Sequence, residues 1–173
     1  MMITLGPGIT LHPGSFTAVI APEEILAAAL TGSPALRKFL ILFVSVGPGL
    51  SGRAGAILPY LEIRAAPSAG DLVAALQGAR QTLVLVGHDP ALFEGAGERP
   101  AVAGALREAG RSALVILHAT TRTPSFDALA RSADRTIEII PAGGPAGRRA
   151  RAVIPAYCSG TTAPRGQTLL EVS

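Results

Sequence analysis

Apolar residues fall in short unbroken runs, separated by stretches where they recur at helical spacing. Phe39 to Val46 (FLILFVSV), Thr82 to Val86 (TLVLV) and Ser112 to His118 (SALVILH) are continuous enough to predict parallel strands buried on both faces. Ser15 to Ala21 (SFTAVIA) and the weaker Thr136 to Ile140 (TIEII) complete a set of five. Helical patterns lie between them. Ile25 to Leu30 follows the first strand, and Ser68 with Asp71 makes a capping-box start for a helix over Asp71 to Arg80. Pro100 to Ala109 places Val102, Ala105, Leu106 and Ala109 at apolar positions, with Gly110 as its stop, and Thr123-Pro124 opens a last helix with an N-cap and a first-turn proline. Strands alternating with helices predict an α/β fold: a three-layer, mainly parallel sheet.

Two stretches fall outside the alternation. Met2 to Leu11 reads as a short strand or hairpin leading into the turn His12-Pro13-Gly14. After Pro141, the Gly/Pro-rich loop Ala142 to Gly147 separates Thr136 to Ile140 from an extended run over Arg149 to Tyr157, and Thr168 to Val172 follows a second loop. Such loops predict antiparallel hairpins appended to the parallel sheet. Gly47 to Ser68 carries the weakest pattern, with a short helix expected near Ala54 to Tyr60.

Length and composition narrow the class. The 173 residues suit one domain spanning 1–173 with a single core. Hydrophobic residues make up 49% and charged residues 16%, below the roughly 25% usual for soluble domains. The sheet is therefore expected to be covered on both faces, or part of the surface by another chain, which favours a protein partner or a homo-oligomer. The longest apolar run, Phe39 to Val44, is far short of the roughly 18 residues of a membrane span, so no membrane association is expected. The opening MMITLGPG lacks a basic start and an apolar signal core, and the single Cys158 precludes an internal disulfide; both point to a cytoplasmic protein.

Net charge is +3, unevenly spread: six basic and seven acidic residues lie in 1–100, nine and five in 101–173. Arg148, Arg149 and Arg151 are the densest basic point and form a nucleic-acid candidate expected to project from the sheet edge. With aromatic residues at 4%, stacking partners for bases are scarce, so only weak nucleic-acid binding is expected, and a solvated hairpin arm is the plainer reading.

The chain resembles the RecA/RadA/KaiC-type ATPase core. The resemblance is carried by Leu11-His12-Pro13-Gly14 before a buried strand, by Thr82 to Val86 followed by Asp89, and by LARSADRTIEI over Leu129 to Ile139. It covers nearly the whole chain as an order of elements, and it implies a sheet order of 5-1-4-3-2 with function at the carboxyl ends of the strands. The departures fall on the chemistry. Where the family carries a glycine-rich turn ending in Lys-Ser/Thr, residues 21 to 28 read APEEILAA, and the chain's lone lysine is Lys38. Glu23 and Glu24 stand where phosphates would meet the helix N-terminus, and Pro22 removes an amide donor. Carboxylates in a first helical turn are also what any helix N-terminus prefers. Gly87 and His88 come before Asp89, which fills the family's acidic position only with a shifted register. Without a phosphate-binding lysine or a magnesium ligand, nucleotide is not expected as a cofactor, and catalysis by the family mechanism is not expected.

A polar cluster is the other candidate site. His88 and Asp89 end one strand, and His118, Thr120 and Thr121 end another that the resemblance makes its neighbour. Two histidines and an aspartate at adjacent strand ends suit a metal or acid/base chemistry; histidines at strand ends also commonly bond to backbone. Cys158 has no His or Asp paired with it in sequence, so no nucleophile is expected there. The resemblance thus implies a degenerate, regulatory member acting through protein–protein contacts, with an accessory DNA-binding paralog or an enzyme at His88/Asp89/His118 as alternatives.

Overall fold

A computed structural model of the chain describes residues 3–6, 9–45, 60–93, 97–141, 148–153 and 169–170. β1 (Ile3–Gly6) and β2 (Ile9–Leu11) form an antiparallel hairpin of their own. Six strands run parallel: β3 (Ser15–Ile20), β4 (Ile41–Ser45), β5 (Leu61–Ala65), β6 (Leu83–Gly87), β7 (Leu114–Ala119) and β8 (Arg135–Pro141). β9 (Arg148–Val153) and β10 (Leu169–Leu170) extend the sheet antiparallel, giving the order β10-β9-β8-β3-β7-β6-β4-β5. The expected order 5-1-4-3-2 is found as β8-β3-β7-β6-β4.

Helices α1 (Glu23–Thr31), α2 (Ala69–Gln77), α3 (Arg99–Gly110) and α4 (Pro124–Ala130) cover the sheet. The crossovers through α2, α3 and α4 travel along the sheet toward β8, while that through α1 travels toward β5; right-handed connections therefore place α1 on the opposite face. Alternate strand residues feed the two cores. Phe16, Leu42, Val84 and Val115 meet Leu72, Leu106 and Phe126 on one face; Val19, Ile41, Leu85 and Ile116 meet Leu26 and Leu30 on the other. Each such fully buried side chain contributes roughly 1.5–3 kcal/mol of apolar transfer.

The amino-terminal edge of the sheet is closely tied. Asp134 bonds Phe16 twice: its Oδ2 accepts from the Phe16 N–H at 2.7 Å, and its own N–H donates to the Phe16 carbonyl at 2.8 Å. The aspartate of the ADRTIEI segment is thus a brace between the α4–β8 turn and the start of β3. Gly14, at φ 71°, makes the left-handed turn into β3 that favours glycine, and its N–H donates to Ala113. Gly110 is the last residue of α3 and does more than end it: a Cβ there would lie 3.0 Å from Phe16 Cβ and 3.1 Å from Phe16 N, so glycine is what lets α3 approach β3.

Other boundaries shift. The Ser68 side chain does cap its helix, accepting from the Asp71 N–H at 3.1 Å, but the helix starts at Ala69 and ends at Gln77. Phe39 and Leu40 precede β4 instead of belonging to it. β5 was absent from the five expected strands: LEIRA alternates apolar and charged residues over a short span, as an edge strand does, and so lacks the continuous apolar signature of its neighbours. The helix expected over Ala54 to Tyr60 lies outside the described residues except for Tyr60, which is in a turn. Among the described residues no helix is long and apolar enough to cross a membrane.

Candidate functional site

The carboxyl ends of β3, β7 and β6 lie side by side, as they must if these ends are to form a site. β3 passes into α1 through only Ala21 and Pro22. The Ala21 N–H donates to the Ala119 carbonyl at 3.0 Å, and the Ala21 carbonyl accepts from His118 Nε2 at 2.8 Å. Pro22 is the N-cap and offers no side-chain cap; Glu23 and Glu24 fill the first turn.

His118 is buried, 4% exposed, and faces the α1 side of the sheet. Burial lowers its pKa, opposed by the Ala21 carbonyl and the charge of Glu23, so it is neutral at pH 7 and carries its proton on Nε2. His88 follows β6 and is tied to the same place through its backbone, its N–H donating to the His118 carbonyl at 2.7 Å. Its ring, however, enters the other core. It stacks on Phe93 with centroids 5.1 Å apart, meets Phe126 edge-on at 5.5 Å, and lies 3.2 Å from Ser125 Oγ through Nε2. Burial pushes its pKa down to about 4, against the charge of Asp89 and a hydrogen bond to its own backbone.

The His88/Asp89/His118 cluster expected from sequence therefore divides. The strands are neighbours, but His118 pairs with Gly87, so His88 stands one residue out of register with it; side chains one residue apart in phase leave on opposite faces of the sheet, and the two imidazoles do not share a space. Asp89 acts on His88 through its charge while its Oδ1 accepts from the Ala91 N–H at 2.9 Å, capping the 3₁₀ turn Pro90–Phe93. Thr120 and Thr121 are exposed beyond the end of β7.

Sequence reasoning missed the partner His88 does have. The Thr123 Oγ1 accepts from the Phe126 N–H at 3.1 Å as the N-cap of α4, and lies 3.1 Å from Ser125 Oγ. Thr123 Oγ1, Ser125 Oγ and His88 Nε2 thus form one continuous hydrogen-bonded chain. The Thr-Pro-Ser signature announced the cap; nothing local announced that Ser125 would be buried beneath His88. Nearby, Arg122 grips Asp127 from Nε at 2.9 and 3.1 Å and reaches Glu138 at 3.8 Å, neutralising charge at the mouth of the site.

Arg148, Arg149 and Arg151 lie in β9, which pairs with β8 along its length and with β10 at Ala150 and Arg151. Arg151 stands opposite Glu138 and Arg149 opposite Ile140, while Arg148 stands opposite Pro141.

The topology and the site's position define a RecA-like α/β core. The chain is similar to the RadB recombinase, with a TM-score of 0.64 over 90% of this chain and 91% of that one at 15% identity. It is also similar to the flagellar accessory protein FlaH from Methanocaldococcus jannaschii, with a TM-score of 0.55 over 87% of this chain and 80% of that one at 11% identity. No family model and no curated protein sequence matches the chain.

Proposed function

We propose that this RecA-like domain is a non-catalytic binding or regulatory protein that acts through protein–protein contacts and has no phosphate-binding loop. The observation that carries the reading is the junction of β3 and α1. A phosphate cradle needs a run of free backbone N–H groups and a cation. Here the junction is Ala21 and Pro22: the first has its N–H bonded to Ala119, the second has no N–H, and two carboxylates follow. The neighbouring strand end supports the same reading, because Asp89 is engaged in capping a turn and the half-buried His88 packs against Phe93 and Phe126.

The enzyme alternative loses its argument where the two histidines part to opposite faces. In the remaining Ser125 to His88 pair, Ser125 is 7% exposed and His88 half-buried, and the contact satisfies the buried hydroxyl. The test is Mg-ATP hydrolysis by the wild-type chain beside Asp89→Ala. The reading expects no turnover in either; turnover abolished by Asp89→Ala contradicts it.

A further inference from the structure

Among the described residues, three large apolar side chains stand out of the surface: Leu40 is 58% exposed, Tyr60 56% and Ile63 44%. All three lie in or next to β4 and β5, the two strands at one end of the sheet. The Ile41 N–H donates to the Tyr60 carbonyl at 3.0 Å, which sets Leu40 beside Tyr60, and Ile63 lies in β5, the terminal strand of the sheet. Among the described residues, nothing pairs with the outer edge of β5.

The ladder fixes which groups face outward. Toward β4, β5 uses the Tyr60 carbonyl at one end and the Ala66 N–H at the other, bonded to Ser45 at 2.9 Å. In a parallel ladder alternate residues bond to the same side, so the even-numbered residues face β4, and Leu61, Ile63 and Ala65 turn their N–H and C=O groups outward. An open edge of this kind is a template for another strand.

We infer that the partner is a second copy of this chain, joined by antiparallel pairing of β5 with itself about a two-fold axis at Ile63. The charges select this occupant and this register. Glu62 and Arg64 lie on one face of β5, where Arg64 Nη2 meets Glu62 Oε1 at 2.6 Å and Gln81 Nε2 donates to Glu62 Oε2 at 2.7 Å. Outward-facing residues must form the hydrogen-bonded pairs, and the axes that then pair more than one residue of β5 are those at 62, 63 and 64. An axis at Glu62 sets Glu62 against its own copy, and one at Arg64 sets arginine against arginine. Only the axis at Ile63 places Glu62 of each copy opposite Arg64 of the other. Those are non-hydrogen-bonded positions, where opposed side chains come closest. The same axis brings the two Ile63 side chains together on the other face. The pattern Leu-Glu-Ile-Arg-Ala is thus self-complementary, as an isologous contact requires.

This pairing does not depend on whether nucleotide binds, so its failure and the failure of the non-catalytic reading are separate events. The test is sedimentation velocity of the full chain over a concentration series, with circular dichroism to check that each variant is folded. The wild type should pass from monomer to dimer as concentration rises. Arg64→Glu alone and Glu62→Arg alone should each weaken the dimer by about tenfold or more, because each sets like charges opposite at both symmetric positions. The double exchange Glu62→Arg/Arg64→Glu restores opposite charges and should restore the dimer. A chain that stays monomeric at every concentration overturns the inference. So does a dimer unaffected by the single reversals, or a double exchange that fails to rescue.

Discussion

At the start of β3, Asp134 takes both the N–H and the carbonyl of Phe16, and Gly110 brings α3 against the same backbone. At the end of β3, the chain turns through Ala21 and Pro22 into a helix with no side-chain cap. One end is a set of close, specific contacts, each of which a single substitution would leave unpaired or clashing. The other is a strand-to-helix turn held through the Ala21 backbone by Ala119 and His118, with two carboxylates on the helix that follows. The contrast teaches that the sheet is braced at the amino-terminal end of β3, and that the ADRTIEI segment marks that brace. The phosphate chemistry of the family resides at the opposite end and is not needed for that brace.

The largest effects should therefore come from the amino-terminal edge. Asp134→Ala strands the buried Phe16 N–H and should lower stability by about 1.5–3 kcal/mol, the range for hydrogen bonds to charged groups. Gly110→Ala forces a Cβ against backbone and should lower it by about 1–3 kcal/mol. Glu23→Gln and Glu24→Gln, at the other end, should change it by only about 0.3–1 kcal/mol each. Urea unfolding of the four variants measures this, and equal losses at both ends would erase the distinction.

Acid should act at the carboxyl ends of the strands. The unfolded chain protonates His88 near 6.5, whereas the folded chain resists until about 4. Proton uptake by the unfolded state then exceeds that by the folded state across this window, so stability is complete above about 6.5 and falls as pH drops toward 4. His118, also lowered by burial, adds to the slope in the same direction. Urea midpoints taken between pH 7 and 4 should fall, and His88→Asn should make the fall shallower; an unchanged slope in that variant would show that His88 is not held neutral by its core.

A smaller effect is expected at β9. DNA binding should be weak at low salt and vanish near physiological salt, because a three-arginine cluster in a chain with 4% aromatic residues supplies charge without base stacking or readout. Salt titration of the wild type against Arg148→Ala/Arg149→Ala/Arg151→Ala tests it. Tight binding that survives physiological salt and is lost in the triple variant would move function to this end of the sheet.

Much of this was legible in the sequence, for identifiable reasons. Strands buried on both faces announce themselves as unbroken apolar runs, so β4, β6 and β7 stood out, and the Ser68 and Thr123 caps were visible because capping is local. β5 was hidden because an edge strand alternates and is short. The candidate site was legible in position but not in direction: that His88 and His118 end neighbouring strands follows from element order, whereas the face each ring occupies depends on the phase of each strand against its neighbour. Ser125 was hidden for the same reason, since its burial is produced by His88, 37 residues away.

The central claim, that this RecA-like domain works without nucleotide, is met most directly by calorimetric titration of the purified chain with Mg-ATP. The junction through Ala21 and Pro22 predicts no binding tighter than about millimolar, the level of non-specific contact. A micromolar dissociation constant would contradict the account.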